Sequence, residues 1–224
     1  MRLGARTWRE VHAAGRAVLA VPLGSCEQHG PHLPLDTDSR IAIALADRLA
    51  TARPDVLVGP AVPYGASGEH AGFDGTLSIG EDGLALVLVE LVRSADAFSG
   101  VVLVNGHGGN ATAVERAVAT SRAEGRRVLS WAPAAGGDAH AGRTETAALL
   151  ALAPSVVRLE HAEAGATAPL SELMPALRAS GVAAVAPNGV LGDPAGASAE
   201  DGRVLLDAMA IDLVAAVDDW RATW

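Results

Sequence analysis

The sequence predicts an α/β fold in three layers, α/β/α, with a mainly parallel sheet and helices on both faces. Three observations carry that expectation. Short Val/Leu-rich runs alternate with helical patterns along the chain, the signature of successive βαβ units. The runs are continuously apolar rather than alternating, as strands buried on both faces are. Half of the residues are hydrophobic but only 3% are aromatic, so the core is built from Ala, Val and Leu, which suits helices packed closely on a buried sheet.

The elements follow in order. Residues 17–23 (AVLAVPL) read as a first buried strand. After a loop with Pro31 and Pro34, Asp36-Thr37-Asp38-Ser39 offers N-cap chemistry for a helix reaching about Ala52. Residues 56–58 form a second strand, stopped by Gly59-Pro60, and 65–75 a Gly-rich loop. A clear amphipathic helix spans 81–98, a third strand 101–104, and a further helix about 111–124. A fourth strand, 127–131, leads through a Gly-rich loop to a helix at about 145–153. Residues 156–159 and 182–185 are short strand candidates around a helix at 170–179. The last helix, about 198–220, opens with Ser198-x-x-Asp201, a loose capping box. No repeat, linker or low-complexity segment divides the chain, so residues 1–224 read as a single domain.

Bulk properties exclude several classes. Seventeen basic against 26 acidic residues give a formal charge of −9, which disfavours nucleic acid or an anionic membrane as partner. One cysteine, Cys26, permits no internal disulfide. Residues 1–15 hold three arginines and no long apolar core, unlike a signal peptide, and runs such as 84–92 are too short to span a bilayer. A cytoplasmic protein is expected.

In such folds ligands gather at the carboxyl ends of the strands, where this sequence keeps its polar oddities. After the first strand, Glu27 and His29 project to the same side of an extended chain, and Asp38 can return a second carboxylate. Each alone reads as a solvated loop residue or an N-cap; together, on a proline-stiffened loop, they read as a grip for a divalent ion. After the third strand, His107 stands among glycines that let backbone approach a ligand or an ion. A turn-bonding histidine and a metal ligand are both open readings there. The phosphate-loop patterns GxxxxGK[ST] and GxGxxG are absent. After the fourth strand, His140 and Glu145 flank a helix start, where Glu145 can be a dipole partner and His140 a surface residue. Cys26 beside Glu27 reads as a structural thiol, and no G-x-S-x-G elbow is present. The 64–76 loop, with Ser67, Glu69, His70 and Phe73, either covers a pocket or is a plain connection. Ser67, His70 and Trp131 are candidate substrate contacts by loop position.

The stretches GSCEQHGPHLPLDTD, GEHAGFDGTLS, VNGHGGN and HAGRTET, spread over residues 21–146, closely resemble the creatininase (creatinine amidohydrolase) family. That resemblance implies a creatininase-like fold and an amide hydrolase with two divalent ions, zinc, iron(II) or manganese. It carries ligand roles onto Glu27, His29, Asp38 and His107, with Asp38 bridging the two ions, and the catalytic histidine onto His140. Creatinine-cleaving members have a glutamate where this chain has Gly109. That departure argues against creatinine as substrate and leaves Glu145 to supply the missing ligand. ATAPLSELMPALRASGVAAV and GVLGDPAGASAEDG, with YGASGEHAGF, resemble the branch of the family that acts on the mycofactocin precursor peptide. There the resemblance implies removal of a C-terminal Val-Tyr dipeptide by attack of metal-activated hydroxide on the amide. A small cyclic amide or a formamide is the alternative substrate. The resemblance also suggests a homo-oligomer.

Overall fold

The apolar runs fold into four parallel strands, β1 (Val18–Leu23), β2 (Val56–Val58), β3 (Gly100–Asn105) and β4 (Val128–Trp131), in the order β2-β1-β3-β4. The structure, a computed structural model, describes residues 1–134 and 137–224. The helices are α1 (Trp8–Ala13), α2 (Thr37–Ala52), α3 (Gly80–Ser94), α4 (Ala111–Ala123), α5 (Arg143–Leu152), α6 (Leu170–Val185) and α7 (Ala199–Arg221).

Every residue of β1 and β3 is buried, which is why these strands read as unbroken apolar runs. Alternate side chains serve opposite faces. Val18 and Ala20 pack with Val102 and Val104 against α2, α5 and α7. Leu19, Val21 and Leu23 pack with Val101 and Leu103 against α3 and α4. The result is the three-layer sandwich, an α/β fold with helices on both faces of a parallel sheet. Among the described residues no helix is long and apolar enough to cross a membrane.

Pairing of β1 with β3 sets Leu23 opposite Asn105 and so brings two strand ends together. The Gly106 amide then donates to the Leu23 carbonyl (2.8 Å), holding the loop after β1 against the turn after β3. β4 lies beside β3 and feeds the segment that carries His140 and Glu145.

Some expected elements differ. Residues 156–159 are not a strand: Pro154 opens a 3-10 turn, Pro154–Val156, which takes Val156. Residues 182–185 belong to α6, which continues past a kink at Gly181 (φ 73°). Their apolar side chains fill a small separate cluster, Leu177, Val182, Ala186 and Leu191, rather than a sheet. The helix expected over 81–98 stops at Ser94. α1 went unforeseen, although Thr7 and Glu10 form a full capping box around its start. At α7 the loose box is half made: the Ser198 hydroxyl accepts from the Asp201 amide.

Candidate metal centre

Asp38, expected to return a second carboxylate to the strand end, turns into the protein rather than capping α2. No side chain caps that helix at Asp36, and Thr37 donates instead to the Pro34 carbonyl (2.7 Å). Asp38 is buried, its Oδ1 3.1 Å from His29 Nε2 and its Oδ2 3.1 Å from His107 Nδ1. The Ser25 hydroxyl donates to Oδ2 at 2.8 Å. One carboxylate therefore faces two imidazoles from different loops, one with each oxygen.

Around Asp38 the donors sort into two groups, each close enough to hold one cation. Glu27, Asp38 and His107 form the first; His29, Asp38 and Glu145 form the second. Glu27 Oε2 lies 3.1 Å from His107 Nε2, and Glu145 Oε2 lies 3.9 Å from His29 Nε2. Glu27 and His29 share a side, as strand-like alternation requires. The intervening Gln28 donates its amide to the Gly189 carbonyl (2.9 Å) and to His70 Nδ1 (2.9 Å).

Tautomers follow from these bonds. His29 Nδ1–H donates to the Glu27 carbonyl (3.1 Å), so its Nε2 lone pair is aimed at two carboxylates. Such a lone pair is stable there only with a proton or a cation between. Glu27 is fully buried, and neither carboxylate oxygen has a hydrogen-bond partner; His107 and His70 approach them at 3.1 and 3.4 Å without hydrogen-bonding geometry. Buried, orphaned carboxylate oxygens beside lone pairs from imidazole are what a divalent cation satisfies, so the residues present fit a metal.

His140 is held differently. It pairs with Leu191 through both backbone groups (3.1 and 2.9 Å), and its Nε2–H donates to the Gln28 carbonyl (2.7 Å). Nδ1 is left 3.8 Å from Glu27 Oε1. The following Ala141 adopts φ 52°, rare for a residue with a Cβ, and its amide donates to Glu145 Oε2 (2.6 Å). One strained turn thus aims both His140 and Glu145.

The glycine motif has a structural logic. Asn110 ties three loops, donating to the Gly24 carbonyl (3.0 Å) and Asn105 Oδ1 (3.1 Å) and accepting from the Ala66 amide (2.9 Å). Ser67 lies 3.5 Å from His107 Nε2, and His70 packs on His140 with ring centroids 4.4 Å apart. Both therefore join the cluster. Trp131 does not: it is buried between the sheet and α7, donating its indole N–H to Asp212 (2.7 Å), and lines neither the cluster nor its cavity.

A cavity of about 660 Å³ opens on the cluster. Asp38, Glu69, His70, His107, His140 and Glu145 form its polar floor, and Leu170, Met174, Leu177 and Val182 its apolar wall, with Arg178 at the edge. Sequence reasoning assigned no role to Ser25, Gln28, Glu69 or Asn110. For Gln28 the signal was its place between two assigned residues; a loop without periodicity gives none for Glu69.

Burial disfavours the His29 cation, yet the charge and hydrogen bond of Asp38, then Glu145 and Glu27, push its pKa up to about 10 in the metal-free protein. His107 is raised well above its ordinary value against the same burial, by the nearby carboxylates of Asp38, Glu27 and Glu69. Asp38, despite burial, is held well below the usual carboxylate range by His29 and His107. His140 is lowered to about 4 by burial and by the charge of His29, and His70 to about 2 by burial and by His140, His107 and His29.

A prediction follows for metal uptake. The carboxylates around His29 and His107 favour their protonated forms in the metal-free protein, and a cation must displace those protons. Uptake is expected to release protons, and affinity to rise with pH between 6 and 8. Calorimetric titration in buffers of different ionisation heat measures the protons released; a value of zero would refute the arrangement.

Comparison with known proteins places the chain as a whole. The family model for creatinine amidohydrolase (creatininase) matches residues 5–217. The mycofactocin precursor peptide peptidase of Mycobacterium tuberculosis is 49% identical over 230 residues, covering 97% of this chain and 91% of that protein. The creatinine amidohydrolase of Pseudomonas putida is 34% identical over 115 residues, 47% of this chain and 44% of the other. Among solved structures, a creatinine amidohydrolase superposes with TM-score 0.80 at 27% identity, covering 97% of this chain and 96% of that one. A manganese form of creatininase matches at TM-score 0.79 and 26% identity, with 97% of both chains covered.

Proposed function

Because the chain belongs to the creatinine amidohydrolase (creatininase) family, we propose that it is a metal-dependent peptidase acting on the mycofactocin precursor peptide. On this reading residues 1–224 work as one metallohydrolase domain that removes a C-terminal Val-Tyr dipeptide from the modified peptide. The substrate is supported by the near-full-length identity to proteins carrying that peptidase name. The observation that carries the chemistry is Asp38, each of whose oxygens faces a different imidazole beneath the cavity.

Glu27, Asp38 and His107 would hold one divalent ion, and His29, Asp38 and Glu145 a second, with Asp38 shared. Mixed imidazole and carboxylate donors suit zinc, iron(II) or manganese. Such ions, when bound, lower the pKa of water toward neutrality and polarise an amide carbonyl. The remaining work falls to the chain itself. His140 keeps Nδ1 free because Nε2–H is committed to the Gln28 carbonyl, and burial keeps the ring neutral. Nδ1 takes a proton as water adds to the scissile carbonyl and delivers it to the leaving nitrogen, so one imidazole serves as base and then acid. Gln28 fixes His70 Nδ1 as an acceptor, which leaves the His70 proton on Nε2, 3.4 Å from Glu27. The wall of Leu170, Met174, Leu177 and Val182 gives apolar peptide side chains a dry surface to bind.

Exposed apolar side chains on α3 (Leu86, Leu91) and α7 (Val204, Ile211) support a homo-oligomer, and the want of any membrane-crossing helix among the described residues suits the cytoplasm. The test is an endpoint assay by mass spectrometry on the modified precursor peptide. Loss of the terminal dipeptide is expected, stopped by a chelator and restored by Mn²⁺ or Zn²⁺. Turnover of small cyclic amides or formamides with the peptide left intact would overturn the substrate; turnover indifferent to chelators would overturn the metal.

A further inference from the structure

The two donor groups around Asp38 leave one nearby carboxylate unused. Glu69 comes from a 3-10 turn, Gly68–His70, and its Oε1 lies 3.4 Å from His107 Nε2. Its carboxylate also comes close enough to that of Glu27 for both to reach one cation. We infer that Glu69 is a further ligand of the ion held by Glu27, Asp38 and His107, delivered across the cavity by a loop rather than from a strand end. This rests on the metal reading above.

Three observations support it. Glu27, fully buried with both oxygens unpartnered, points into the same space, so a cation there meets two carboxylates on one side. The room exists because residue 109 is glycine: a Cβ there would collide with Glu69 Oε1 and stand 2.5 Å from both the Ala66 carbonyl and His107 Nε2. The turn is pinned from behind, since Gly181 at the kink of α6 packs where a Cβ would come 2.9 Å from the Glu69 carbonyl. The Glu69 side chain is 33% exposed, whereas Glu27 and Asp38 are buried, so it is the ligand that solvent and substrate reach first.

The test is a metal titration of the full chain, stripped with chelator, using Mn²⁺ or Zn²⁺ and calorimetry. The wild type is expected to take two ions. Glu69→Gln should weaken one of them by about 10- to 100-fold and leave the other unchanged. Glu69→Asp, which keeps the charge on a shorter arm, should fall between the two. Circular dichroism identifies any misfolded variant, and Glu69→Asp then carries the comparison. Glu69→Gln titrating like the wild type, or losing both ions equally, would overturn the assignment. A wild type that binds two ions but leaves the precursor peptide intact would overturn the substrate reading and leave this one standing.

Discussion

Replacing Asp38 by alanine is expected to empty the metal centre and lower turnover by about 10³-fold or more, the several kcal/mol that metal-assisted catalysis supplies. The reason is geometric: Asp38 faces both His29 and His107, and each of its oxygens serves one of them at 3.1 Å. Loss of the carboxylate also removes a leading cause of the raised imidazole pKa values, so the two rings no longer stay charged side by side. The far-ultraviolet spectrum should stay that of the wild type, because Asp38 contributes no cap to α2 and the sheet packs elsewhere. Elemental analysis and a rate measured on the same sample decide the matter. A variant that keeps both ions and full activity would show that Asp38 does not bridge.

The second large effect belongs to His140. Substitution by alanine should reduce kcat by about 10²- to 10⁴-fold, the span typical of a lost acid–base group. Metal content and KM should change little, because the ring is fixed by Gln28 and Leu191 and its free Nδ1 stands 3.8 Å from Glu27. Added imidazole should restore part of the rate to His140→Ala. If the variant instead loses an ion in step with its activity, His140 is a ligand in the Glu27, His29 and His140 group rather than a proton carrier.

Much of this was legible in the sequence because a parallel sheet buried on both faces writes itself as unbroken apolar runs. Residues 18–23 and 100–105 stand out for that reason, and the donors follow directly at the strand ends. Legibility failed where local signals compete. The Val-rich stretch 182–185 looked like a strand, since a short apolar run has no period that separates strand from helix. Asp38 alone could pass for a cap, as Asp before an apolar helix usually is, and it read as an ion grip only in company with Glu27 and His29; the folded chain adds which two imidazoles its oxygens face. Trp131 looked like a contact from its place at a strand end, but its ring lies against α7, where Asp212 takes its N–H. Glu69 was hidden because neither alternation nor helical spacing runs through its loop. Its approach to His107 depends on the kink at Gly181, more than a hundred positions away.

Side-by-side placement of β1 and β3 has a consequence for how the molecule comes into being. The groups that face Asp38 are drawn from as far along the chain as Glu145, and they converge only once strands far apart in sequence have paired. The complete donor set is therefore a product of the folded sheet, whereas in a zinc finger the metal itself organises an otherwise unfolded chain. A cation bound there would meet a scaffold that strand pairing had already built.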